Sequence, residues 1–292
     1  MFSRIWTLTK VEFYKLFRQK IFYFSFALVI IVVVLSVILQ KFGQDPKSPV
    51  NGFSPLINAC LNGFRITAFF ILIIAGLLYA SETTYNTIKT ILIAPFSRTE
   101  LILAKALTII ILALFFAVLI ESISLVLARI LYGFADITDP TFPEIVHLPK
   151  SNMYTYLLYT FIQIVLPLVA IGLMGLFISS ITENAGIAVS VSIMAYLVLD
   201  TFIESLFESA SSFLFSHYLN YYLATCRNIT EGVLDEIWKF ESINHFFGFQ
   251  QQNVQLEPVR VLEVVKSILV PVLSSILFLF LSIVAVNKKR NA

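Results

Sequence analysis

"IFYFSFALVIIVVVLSVIL", residues 21–39, contains no charged side chain, no proline and no glycine. A run of this kind folds either inside a large soluble core or inside a bilayer, and length separates the two. About 20 apolar residues, rising 1.5 Å each, cross the roughly 30 Å hydrocarbon layer of a membrane. Composition agrees with the bilayer: 58% of the 292 residues are hydrophobic and 13% charged, against about a quarter charged in ordinary soluble domains. A chain with so few charges cannot cover itself with a water-compatible surface. Closed β-barrels also span membranes, but their strands are short and alternate in polarity, whereas this run is long and continuous. A cleaved signal peptide has an apolar core of about 7–15 residues followed by a small-residue cleavage site, so the run reads as a retained span. The fold class is an all-α integral membrane protein.

Working outward, five further apolar runs fall near Arg65–Tyr79, Ala106–Leu127, Tyr154–Ser179, Gly186–Asp200 and Leu262–Val286, giving six expected transmembrane helices. The fifth is short and reaches Phe207 only if Asp200 and Glu204 lie at headgroup level. Asp200, Glu204 and Glu208, at helical spacing, read as a solvated face. The organisation expected is a cytoplasmic elbow helix over 1–20, spans one to five over 21–200, an outer helical segment over 201–261, a last span over 262–286 and a cytoplasmic tail over 287–292.

Orientation follows from lysine and arginine in the short flanks. Arg4, Lys10, Lys15, Arg18 and Lys20 precede the first span, Lys89, Arg98 and Lys105 lie between the second and third, and Lys288, Lys289 and Arg290 follow the last. Both termini are therefore expected in the cytoplasm, with the chain in the inner (cytoplasmic) membrane. Residues 3–20 read as an amphipathic helix, with Trp6, Phe13, Leu16 and Phe17 gathered on one side and basic residues on the other, suited to lying in the headgroup layer.

Between the second and third runs, "ASETTYNTIKTILIAPFSRTELILAK", residues 80–105, breaks the apolar pattern. Ile88, Ile91 and Leu92 recur at helical spacing, with Thr87 and Lys89 largely elsewhere, so a short one-sided helix is expected over 81–94. Pro95 ends it, because its ring disfavours helical geometry at the preceding residue and its nitrogen has no hydrogen to donate. Ser97 followed by Glu100 has the spacing of a capping box and marks a fresh helix start.

These elements resemble the permease subunits of ABC-2 type exporters, in which a short cytoplasmic helix lies between the second and third of six spans. The residues that carry the likeness are Glu82, Thr87, Ile91, Leu92, Pro95, Ser97, Arg98 and Lys105. Asn86 stands where that family usually has glycine; asparagine tolerates the left-handed conformation better than most residues, so the turn can survive. The resemblance implies that the short helix is a coupling element seated in a groove of a separate ATP-hydrolysing subunit. Ile88, Ile91 and Leu92 would form its ridge, with Glu82, Lys89 and Arg98 at the rim. It further implies two copies of an ABC ATPase that carries ATP and Mg²⁺, and a second permease copy, in a homodimer because one chain supplies half the expected spans.

The chain has no G-x-x-x-x-G-K-[ST] phosphate cradle, so no ATPase activity of its own is expected. His147, His217 and His245 lie outside the expected spans without metal-ligand spacing. No bound cofactor, no metal and no nucleic-acid partner is expected; membrane lipid is, and the outer segment is long enough to meet an outer partner. Glu121, inside the third run, and Arg65, at the outer start of the second, are candidates for a translocation path, since an ionisable group in a span faces protein or water. A helix-stabilising role for Glu121 is the equal alternative. Cys60 and Cys226 both fall on the expected outer side, where they either bridge or remain two thiols. Pro167 and Pro271 suit hinges, and Gly172 and Gly175 a close helix approach. The rival class is a membrane-embedded enzyme or a non-transporting scaffold with an outer binding segment.

Overall fold

The computed structural model describes residues 2–42, 52–84, 96–134, 153–199, 214–216 and 261–288. Seven helices follow one another among them: α1 (Phe2–Arg18), α2 (Lys20–Phe42), α3 (Phe53–Thr84), α4 (Arg98–Leu131), α5 (Met153–Ile181), α6 (Ala185–Leu197) and α7 (Val261–Lys288). Five contain stretches long and apolar enough to cross a bilayer: Lys20–Phe42, Asn58–Thr84, Arg98–Leu131, Ile164–Ile181 and Ile268–Lys288. The run expected as the fifth span forms α6, of 13 residues, about 20 Å at 1.5 Å per residue and too short by itself for the hydrocarbon layer. Its expected continuation to Phe207 lies outside the described residues, as do the 85–95 segment with Thr87, Ile88, Lys89, Ile91, Leu92 and Pro95, and nearly all of the outer segment.

Burial separates a centre from a periphery. The apolar stretches of α3 and α5 are 72% and 78% buried, that of α7 only 11%, so α3 and α5 form the core and α7 presents most of its surface outward. Helix α3 packs against α2, α4, α5 and α6, while α7 leans on α5 and α1 on α4. The close approach expected at Gly172 and Gly175 is present. A Cβ on Gly172 would lie 2.4 Å from Ile109 Cγ2 and 2.8 Å from Ile71 Cγ2, and one on Gly175 would lie 3.0 Å from Ala75 Cβ. Any larger residue at 172 drives into two branched side chains at once, a contact that close packing cannot absorb without displacing a helix.

Helix α3 starts well before the expected Arg65. Asn58, Asn62 and Arg65 lower the average hydropathy of its first turns, yet both amides find partners on α2: Asn58 Nδ2 donates to Gln40 Oε1 at 3.2 Å and Asn62 Nδ2 to Ser36 Oγ at 3.1 Å. Amides with partners can lie against a neighbouring helix at a depth where unpaired ones would cost several kcal/mol. Cys60 and Arg65, placed by the sequence ahead of and at the start of a span, therefore lie inside a continuous helix.

The start of α4 is fixed by the expected capping box. Ser97 Oγ accepts from the Glu100 backbone N–H at 3.1 Å, and the Ser97 N–H donates to the Glu100 carboxylate at 2.8 Å. Such a cap contributes about 1 kcal/mol. It sets where the chain turns back into the helical bundle after the 85–95 segment.

Helix α1 is amphipathic, and a second face of it, one the sequence did not single out, packs on the protein. Leu8, Thr9, Glu12 and Leu16 face the protein, whereas Trp6 and Phe17 remain nearly half exposed. The reason is a charged one.

Candidate functional site

Lys105, about two turns into α4, is among the largest fully buried side chains, with 0% of its surface exposed. An ammonium so placed needs every N–H answered, because removing it from water costs several kcal/mol. It has three donors and meets three acceptors. Lys105 Nζ lies 2.6 Å from the Leu78 carbonyl oxygen, 2.9 Å from Glu82 Oε1 and 3.2 Å from Glu12 Oε1. Lys15 Nζ closes the figure at 2.7 Å from Glu82 Oε1 and 2.9 Å from Glu12 Oε1. Two carboxylates and two ammonium groups thus form a neutral cluster drawn from three helices.

Local helical geometry brings these groups together. Leu78 and Glu82 are one turn apart near the C-terminal end of α3, where the helix dipole also favours a cation. Glu12 and Lys15 stand three residues apart on α1 and share a face. Glu12 is in phase with Leu8 and Leu16, so burying that face carries the carboxylate inward to Lys105. This is why α1 turns its aromatic side outward. Thr9 on the same face approaches the Ala104 carbonyl at 3.5 Å.

Lys15 forms the open edge of the cluster, its side chain 39% exposed. Partial burial acts to lower its pKa, but the Glu12 and Glu82 carboxylates outweigh that and hold it above the ordinary lysine value. The stability it supplies is fully present below the ordinary lysine range and is lost as pH rises through the raised value. At neutral pH this edge of the cluster is fully charged.

Further polar seams lie around the same end of the bundle. Ser179 Oγ on α5 accepts from the Tyr79 and Ala80 backbone N–H groups at 3.2 and 2.9 Å and donates to the Gly76 carbonyl at 2.7 Å. Thr84 Oγ1, on the last residue of α3, donates to the Glu183 carbonyl at 3.1 Å and accepts from the Ala185 N–H at 3.0 Å. Arg98 Nη1, on the first residue of α4, donates to the Val286 carbonyl of α7 at 3.2 Å. Both ends of the 85–95 segment are therefore tied to other helices: α3 to α1, α5 and the α5–α6 turn, and α4 to α1 and α7.

Of the residues singled out from sequence, Glu82 and Lys105 come together in the cluster, with Glu82 buried where a rim position was expected. Arg98 instead reaches α7. Glu121 and Arg65 are not joined: among the described residues no ion pair links them, and Arg65 is exposed. Glu121 Oε1 is buried and has no hydrogen-bond partner there, and neither has Ser124 Oγ one turn further along α4. Cys60 is buried in α3, and Cys226 lies outside the described residues. Sequence reasoning missed Glu12. Its signal is that it is the sole acid among residues 1–42 and falls in phase with leucines.

Long apolar helices crossing a shared core, joined at one end by a buried ionic cluster, define a multi-pass α-helical membrane protein. The profile of the family described as "ABC-2 family transporter protein" matches residues 8–194, more than half of the chain, and the chain belongs to that family. It is also 27% identical over 158 residues to "Uncharacterized protein YhcI" of Bacillus subtilis (strain 168). That match covers 52% of this chain and 50% of the relative, so the chain spans about half the length of the curated relative it matches. The family match begins ahead of Glu12 and ends within α6, and so takes in all four members of the cluster.

Proposed function

We propose that this chain is the membrane-embedded permease subunit of an ATP-driven ABC exporter, working from the cytoplasmic membrane with both termini inside. A separate ATPase, present in two copies with its own ATP and Mg²⁺, docks on the 85–95 segment of each of two permease chains. Family membership supports the transport role, and residues 1–292 carry no phosphate cradle, in keeping with hydrolysis by a separate subunit. The observation that carries the coupling reading is the disposition of polar contacts around that segment. A force applied to residues 85–95 reaches α3 and α4 at once, and through the ionic cluster it reaches α1. Through Ser179, Thr84 and Arg98 it reaches α5 and α7. Buried polar contacts of this kind have discrete geometries and transmit displacement better than a greasy, sliding interface.

A photocrosslinker at Lys89 or Ile91, activated in membranes of cells that naturally produce this chain, is expected to capture a nucleotide-hydrolysing polypeptide. Capture of phospholipid alone would overturn the docking reading.

Within the permease, the Glu121–Ser124 face of α4 is the proposed polar lining of the path. Buried oxygens without protein partners suit a surface that meets water or substrate during transport. Glu121→Gln is expected to lower substrate-stimulated ATP turnover by at least about tenfold, equivalent to about 1.4 kcal/mol, while assembly remains normal. Unchanged stimulated turnover would leave Glu121 as a helix-packing residue only.

A further inference from the structure

Turning Glu12 inward leaves the other side of α1 open, and it forms one wall of a groove of about 820 Å³ shared with α2 and α4. That is within the range of about 300–1,000 Å³ typical of sites for organic ligands. Trp6, Phe13 and Phe17 of α1 face Tyr23 and Phe26 of α2 and Phe115 of α4 across it. Phe26 and Phe115 stack at 6.2 Å, while Trp6, Phe17, Tyr23 and Phe115 each keep 43–59% of their surface exposed.

The rim is as one-sided in charge as the floor is in polarity. Lys10 and Arg18 are exposed along α1, with Lys10 Nζ 5.9 Å from the Trp6 ring centre and the Arg18 guanidinium 4.5 Å from that of Tyr14. Arg4 and Lys20 are exposed on the same two helices. The one acid of residues 1–42, Glu12, is already engaged by Lys15 and Lys105, so no carboxylate of α1 or α2 is left to face Lys10 and Arg18.

We infer that the groove is a binding site for an anionic phospholipid, its acyl chain lying against the aromatic walls, its phosphate held by Lys10 at the groove, and Arg18 adding positive potential about two turns further along the same rim. An apolar slot open to the bilayer fills with hydrocarbon rather than water. Tryptophan and tyrosine at its mouth suit the headgroup level, and the cationic rim selects negative over zwitterionic headgroups. A second copy of the chain is the poorer occupant, because a two-fold contact through this face would bring two cationic rims together with no carboxylate of α1 or α2 to face them. The site goes beyond the permease reading, which stands or falls without it.

The test uses full-length protein carrying Trp238→Phe, which leaves Trp6 as the one tryptophan. It is reconstituted in phosphatidylcholine vesicles doped with phosphatidylglycerol, and one lipid at a time carries bromine on its acyl chain. Brominated phosphatidylglycerol is expected to quench Trp6 more strongly than brominated phosphatidylcholine at the same mole fraction. That preference falls about fivefold for each cation removed in Lys10→Gln and Arg18→Gln and persists in Lys10→Arg. Equal quenching by the two lipids would reduce the groove to ordinary boundary lipid and overturn the site. So would weak quenching by both together with crosslinking of Lys10 between two chains, which would place a second copy there.

Discussion

Replacing Lys105 by methionine is expected to destabilise the protein by about 3–5 kcal/mol, the cost of breaking a buried ion pair from one side. Methionine roughly preserves the lysine stem, so little of the effect is lost packing. What remains is two carboxylates, Glu12 and Glu82, facing one another across the space left by the ammonium, with only the half-exposed Lys15 between them. The Leu78 carbonyl also loses its donor. Reversible unfolding of the purified protein in mild detergent, by denaturant titration, reads the difference. The decisive control is Glu82→Gln combined with Lys105→Met. That pair removes one charge of each sign and leaves Glu12 and Lys15 as a couple at 2.9 Å, so most of the lost stability should return. A single variant within about 0.5 kcal/mol of the parent would show that the cluster is no structural joint, since surface changes commonly fall in that range.

Much of this architecture is legible in the sequence because a membrane span is set by a sum over some twenty residues, which tolerates local noise. The run at residues 21–39 needs no context, and the capping box at Ser97 and Glu100 is a local rule that the structure follows to the hydrogen bond. Errors appear where a local average hides a long-range partner. The second run was read from Arg65, yet its helix begins earlier, where Asn58 and Asn62 find partners in Gln40 and Ser36 on another helix. Helix α1 was read for its aromatic side, yet the side that meets the protein bears Glu12, because Lys105 offers a partner that no periodicity reveals. Glu82 and Lys105 were each noticed for their place in a motif. Their meeting at 2.9 Å is a tertiary fact.

The second large effect concerns docking, and it separates seating of the ATPase from transmission of its motion. Ile91→Asp with Leu92→Asp places two carboxylates on the proposed ridge. If the ridge fills a groove of the ATPase, each position is an anchor worth at least about 2 kcal/mol, and losing either weakens the complex by about 30-fold or more. The ATPase should then no longer copurify with the permease, and transport-coupled ATP turnover should fall to the level of the isolated ATPase. The permease itself should unfold at its usual denaturant concentration, because neither residue belongs to the ionic cluster. Lys105→Met should give the complementary pattern: the ATPase still binds, through a ridge left intact, but hydrolysis no longer responds to substrate because α1, α3 and α4 move out of step. Copurification unchanged within about threefold in the doubly acidic variant would mean that the ridge rests on the lipid surface and that the ATPase docks elsewhere. Retention of stimulated turnover by Lys105→Met would instead leave docking intact and remove the ionic cluster from the path by which motion enters the membrane.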